Sequence, residues 1–207
     1  MTKNRNGNCA QHERYKLIAG LKENYFFISS ESLDMDLQFI KSHNIQNIGL
    51  NSQGLYLSDG LEEIKELSIK KLIINPNSKI KFNYDGLKYF NQLEYLKINN
   101  LKADKIDLTS NVDLKKVYIE NCSKLAGVNF LEKLESLILT KPSSKIMEPE
   151  TFRRLNKLNH LTIANTKLPR GLAFLGNRKL DSLFLYNVKE LNLTEINELK
   201  LKKLREF

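Results

Sequence analysis

The chain has no tryptophan, two cysteines, three histidines, four prolines and nine glycines among its 207 residues. So little proline and glycine excludes collagen-like and Pro-rich sequence. Cys9 and Cys122 lie far apart and form no C-x-x-C or metal-ligand spacing, so they read as free thiols. His12, His43 and His160 are equally scattered, and none has a second His or a Cys at ligand spacing. G-x-S-x-G, Walker A and G-x-G-x-x-G sequences are absent. No apolar run approaches the roughly 18 residues of a membrane-spanning helix. The opening segment MTKNRNGNCAQHERYKLIAG lacks the apolar stretch of a secretory signal. Carboxylates do cluster, as Asp34 with Asp36 and as Glu62, Glu63 and Glu66, but on helical turns these read as solvated faces and helix N-termini. The expectation is a cytoplasmic protein that is not an enzyme and uses no metal and no cofactor.

What is present is an ordinary globular composition, 41% hydrophobic and 28% charged, long enough for one domain or two small ones. Lys and Arg number 33 against 24 Asp and Glu, a net charge of +9. That balance admits nucleic acid, an anionic membrane or an acidic protein as partner. Its distribution is uneven: residues 141–207 hold 14 basic and 7 acidic side chains, leaving 19 and 17 for residues 1–140. The C-terminal excess reads either as solvation of an outer face or as a docking zone for an acidic partner.

The strongest signal is an internal repeat. Apolar residues fall in an L-x-x-L-x-L frame at Ile45/Ile48/Leu50, Ile69/Leu72/Ile74, Leu93/Leu96/Ile98, Leu114/Val117/Ile119, Leu134/Leu137/Leu139, Leu158/Leu161/Ile163 and Leu180/Leu183/Leu185, with an eighth beginning at Leu201/Leu204. Their middle residues are separated by 24, 24, 21, 20, 24, 22 and 21 positions. Each x-L-x-L core alternates with period two, which predicts a short strand with one face buried. One strand cannot bury that face alone, so stacking in a parallel sheet is expected. Upstream, Leu87/Phe90, Leu131 and Phe152/Leu155 continue the spacing in threes and predict helical or 3₁₀ turns on the return path, with Pro149 opening one of them.

On these frames, residues 45–207 resemble the leucine-rich repeat family, in an irregular form of about eight repeats. The resemblance implies an α/β fold: a leucine-rich repeat solenoid with a curved parallel β-sheet and an irregular, 3₁₀ or helical convex side. The family frame places Asn or Cys three residues after the last strand position. Asn77 and Cys122 match, whereas Asn100, Asn121, Asn165 and Asn187 sit one residue earlier, where backbone satisfaction in the turn is the expected role. Residues 1–14 read as a flexible segment and 15–44 as an N-terminal capping element, with Tyr25–Ile28 as first strand followed by a short helix. The closing LKLKKLREF stops three residues after Leu204, so the last strand is expected to present an edge. Its Lys200, Lys202, Lys203 and Arg205 discourage pairing there, unless a second copy, an acidic partner or a further domain covers it.

A concave strand face is where such a solenoid binds. Its outward rows hold Ile73, Tyr95, Lys97, Lys116, Tyr118, Ile138, His160, Phe184 and Tyr186, more apolar and aromatic than solvation needs. The expectation is a non-enzymatic protein–protein interaction module, an adaptor, inhibitor or immunity-type protein, holding a partner on that face. The alternative is a nucleic-acid-binding basic solenoid with Tyr and Lys interleaved along the groove. No membrane partner is expected.

Overall fold

In a computed structural model of the chain, residues 15–17, 24–51, 56–76, 81–99, 105–121, 124–176, 178–191, 200–201 and 204–206 are described. The chain is α/β, built around one large sheet with few helices. Two strands open it, β1 (Tyr15–Leu17) and β2 (Asn24–Phe27), paired antiparallel with Tyr15 opposite Phe26. Helix α1 (Leu33–Ser42) follows and leads to β3 (Asn47–Asn51), β4 (Lys71–Asn75) and β5 (Tyr95–Ile98). A two-residue β6 (Ile106–Asp107) pairs with β8 (Leu125–Ala126) on the crossover side, with β7 (Lys116–Glu120) between them in sequence. The sheet continues through β9 (Ser136–Thr140), β10 (His160–Lys167) and β12 (Ser182–Lys189). A second short pair joins β11 (Lys179–Leu180) to β13 (Lys200–Leu201), and β14 (Leu204–Glu206) ends the main sheet. The order is β1-β2-β3-β4-β5-β7-β9-β10-β12-β14, and every described pair in it except the first is parallel.

Register follows the sequence frame. Ile48, Leu72, Leu96, Val117, Leu137, Leu161, Leu183 and Leu204 are successive Cα partners, and Leu50, Ile74, Ile98, Ile119, Leu139, Ile163 and Leu185 form the parallel inner row. From β3 to β12 both rows are sealed in the core, none of these side chains more than 2% exposed. The third frame residues, Ile69, Leu93, Leu114, Leu134, Leu158 and Leu180, are buried with them, while Ile45 is half-buried. A slip of one residue would turn both rows to solvent, which is why the register is so regular.

The crossovers return through short turns whose apolar residues close the core from the far side. Leu87 lies in a 3₁₀ turn over Asp85–Tyr89, Leu131 follows one over Val128–Phe130, and Phe152 ends the one-turn helix α2 (Pro149–Phe152), which has Pro149 at its start. Leu87, Phe90, Leu131, Phe152 and Leu155 are all buried. Proline fits there because the first turn of a helix has no acceptor for its missing N–H.

Each strand is fixed to its neighbour by a shared acceptor at its start. The Gln46 carbonyl accepts from the N–H groups of Lys70 and Lys71, Lys70 from Glu94 and Tyr95, Glu94 from Lys115 and Lys116, and Lys115 from Glu135 and Ser136. Glu135 then accepts from Asn159 and His160, and Asn159 from Asp181 and Ser182. Two longer clamps join crossovers. Asn111 is buried and donates its Nδ2 to the Leu87 and Phe90 carbonyls, both at 2.9 Å, and Arg178 donates to the carbonyls of Phe152 and Leu155. Leu87/Phe90 and Phe152/Leu155 occupy equivalent frame positions, so two different side chains bring a second donor to equivalent carbonyls that already accept a backbone N–H.

At the N-terminal end the Tyr25–Ile28 segment forms the second strand, not the expected first, because β1 pairs antiparallel along its outer edge; Tyr25, Phe26 and Ile28 are buried and the strand ends at Phe27. Asp36 departs from the solvated role expected of the Asp34/Asp36 pair. It is fully buried, accepting from the Ser29 N–H at 2.8 Å and the Ser32 hydroxyl at 3.2 Å, and so fastens the start of α1 to the end of β2. Residues 1–14, Asn77, Asn100, Cys122, Lys202 and Lys203, which carried expectations from the sequence, lie outside the described residues. Among the described residues, no helix is long and apolar enough to cross a membrane.

Candidate functional site

Alternation in each strand turns every second side chain away from the core and lines these residues up across the sheet. Three rows result. Along the first, Asn47, Lys71, Tyr95, Lys116, Ser136, His160 and Ser182 are successive partners; along the second, Gly49, Ile73, Lys97, Tyr118, Ile138, Thr162 and Phe184. The third pairs Asn51 with Asn75 and runs from Glu120 through Thr140 and Ala164 to Tyr186. All nine residues singled out from the sequence therefore belong to this open face.

Eight of them reach solvent. Lys116, His160 and Tyr186 are exposed, and Tyr95, Lys97, Tyr118, Ile138 and Phe184 are half-buried. Ile73 does not fit the expectation of a water-facing residue: it is 6% exposed. Along the same row the Phe27 ring lies over the neighbouring Gly49, where an added Cβ would stand 2.5 Å from it, so the row is filled by aromatic carbon on the β3 side of Ile73. Phe27 belongs to this face and was not singled out, because the Tyr25–Ile28 run is apolar throughout and shows no alternation.

The centre of the face is a cation–aromatic cluster on β5 and β7. The Lys97 ammonium lies 5.0 Å from the centre of the Tyr118 ring, within cation–π range. Tyr95 is flanked in its own row by Lys71 and Lys116. Burial, and secondarily the neighbouring Tyr118, raises the Tyr95 hydroxyl pKa, which keeps that phenol a neutral donor. Lys116 has no ion-pair partner among the described residues. The nearby Glu94 carboxylate is spoken for: it binds the Lys115 ammonium at 2.9 Å, and that hydrogen bond holds its pKa below the usual carboxylate range.

Towards β12 the face becomes neutral. His160 Nδ1 is 2.6 Å from the Ser182 hydroxyl across the β10–β12 register, with Ser182 buried. Beyond it Phe184 and Tyr186 project, the latter 54% exposed.

The Asn residues after the strands act on the backbone. Asn121, Asn165 and Asn187 adopt left-handed conformations, with φ of 60°, 55° and 49°, as does Lys141 at 53°. All four stand two residues after the last inner-row residue of their strand, Ile119, Leu139, Ile163 or Leu185, where the chain must turn. The Asn121 N–H donates to the Thr140 carbonyl and the Lys141 N–H to the Ala164 carbonyl, so each turn is pinned to the next.

Two clefts open away from these rows. One of about 210 Å³ is lined by Met147, Glu148, Leu168 and Arg170, the other of about 590 Å³ by Pro149, Arg153, Phe174 and Arg178. Neither includes any of the nine residues. Among the described residues, no group of three or more His, Cys, Asp or Glu is placed to hold a metal ion.

No family model, curated protein or solved structure matches this chain.

Proposed function

We propose that the chain is a leucine-rich repeat solenoid acting as a non-enzymatic protein-binding module, with the open face of its sheet as the recognition surface. The repeat reading is supported by strands returning every 20–24 residues in unbroken register, by 3₁₀ and helical turns on the return path, and by a shared left-handed turn after the strand. The observation that carries the binding reading is the half-buried Tyr95–Lys97–Tyr118–Ile138 cluster. These residues are aligned by neighbouring strands yet not covered, and aromatic and cationic side chains held rigid at the centre of a face are what protein interfaces use as anchors.

The test is affinity capture from the native cell with and without nuclease, using the wild type beside a Tyr118→Ala/Phe184→Ala variant. The variant is expected to keep its fold by circular dichroism and to lose the captured partner, with a weakening of about 2 kcal/mol or more. A partner retained by the variant but lost on changing charges of the crossovers would overturn the reading. Capture that disappears with nuclease would favour the basic, nucleic-acid-binding alternative.

A further inference from the structure

The open face is divided electrically, and the division specifies the partner's chemistry; this rests on the strand face being the recognition surface. Among the rows from β3 to β12 the charged residues are Lys71, Lys97, Lys116 and Glu120, and all four lie on β4, β5 and β7. The three cations occupy adjacent strands, within about 10 Å at the ordinary strand spacing. Glu94, beside them, is neutralised by Lys115. From β9 through β12 the same rows carry no Lys, Arg, Asp or Glu: Ser136, Ile138, Thr140, His160, Thr162 and Ala164 lead to Phe184 and Tyr186.

We infer that the face binds an extended peptide segment of a partner protein running across the strands, with a carboxylate cluster over Lys97 and Lys116 and an apolar or aromatic residue over Phe184 and Tyr186. The cations sit on or beside tyrosine rings, which supply a low-dielectric floor and hydroxyl groups that can donate to carboxylate oxygens. From β7 to β12 there are three strand steps, about 14 Å, which an extended chain spans in about four residues. Nucleic acid fits this face less well, because a phosphate backbone carries charge along its whole length and half of the face offers it none. The apolar half is what selects a polypeptide.

The experiment titrates the ¹⁵N-labelled full chain with three synthetic peptides: three glutamates alone, Phe-Leu alone, and the two joined by a four-residue Ser/Gly spacer. The expected result is amide shifts on β5 and β7 with the acidic peptide, on β12 with the apolar one, and on both with the joined peptide, which binds at least about tenfold more tightly than either part. Lys97→Glu with Lys116→Glu is expected to lose the joined peptide by about tenfold and to gain a version with three lysines, a charge swap that no loss of fold imitates. Shifts on the open face without separation of the acidic and apolar halves would overturn this assignment and leave the strand-face reading standing. Shifts confined to the crossovers, or none at millimolar peptide, would overturn both. An oligothymidine that perturbs β4 through β12 and displaces the joined peptide would overturn the peptide assignment in favour of nucleic acid.

Discussion

Asn187 donates its Nδ2 to the Oδ1 of Asn165 at 3.0 Å, and both residues have left-handed backbones two positions past the buried strand residues Leu185 and Ile163. The two are skipped together in the β10–β12 register, where Ala164 faces Tyr186 and Thr166 faces Val188. Matched bulges thus let the long strands bend without losing alignment, and Thr166 continues the junction by donating to the Pro142 carbonyl at 3.0 Å. The polar ladder sits one residue earlier than the family frame places it.

That geometry separates two contributions at Asn165. Asn165→Gly keeps the left-handed turn and removes only the amide bond, so a loss of about 0.5–1.5 kcal/mol is expected. Asn165→Ala adds the conformational penalty of about 1–2 kcal/mol and should lie clearly below it. Urea melts of the two variants decide; equal stability would mean that backbone conformation contributes nothing there.

Lys141 holds the same turn position with φ of 53° and no side-chain preference for it. Lys141→Asn or Lys141→Gly is therefore expected to stabilise the protein, by about 0.5–1 kcal/mol, with an upward shift of the urea midpoint at constant slope. A decrease would show that the lysine side chain has a role the turn geometry does not account for.

Gly127 is strained against backbone, not side chain. It has φ of 82°, and a Cβ there would stand 2.3 Å from the Thr109 nitrogen. Gly127→Ala should cost more than about 2 kcal/mol and lower Tm accordingly, because no side-chain rotation relieves the clash. An unchanged Tm would require the β6–β8 pairing to be absent in solution.

Leu137 and Leu161 are fully buried partners in the inner row. Truncating either to Ala is expected to cost about 2–5 kcal/mol by equilibrium unfolding. They are adjacent, so the double variant should depart from additivity. A loss under 1 kcal/mol at both sites would contradict their burial.

The Glu94–Lys115 pair sets an acid-side prediction. Glu94 titrates lower in the folded chain than unfolded, so its contribution is present above the unfolded pKa and is lost as pH falls through the folded one. Glu94→Gln should lower stability slightly near neutrality, the pair being largely exposed, and converge with the wild type in acid, so that its fall in stability below about pH 5 is flatter. An unaltered acid limb would mean that the pair does not form in solution.

The sequence by itself determined the strand positions, their register and the membership of the open face, because a hydrophobic frame with period two leaves one pairing that buries every inner residue, from Ile48 to Leu183. It equally indicated where the return turns lie, since Leu87, Phe90, Phe152 and Leu155 repeat at helical spacing. Tertiary structure alone decided how each exposed or polar residue is used. Ile73 is buried on a row the sequence turns to solvent, beside Gly49, over which the Phe27 ring lies. Asp36 is buried because Ser29 and Ser32 approach it across a turn, and Asn111 and Arg178 are clamps because carbonyls 21 to 26 residues earlier point at them. A local pattern fixes which side of a strand a residue faces; what that residue meets there is set by the neighbouring strands and crossovers, and periodicity carries no record of them.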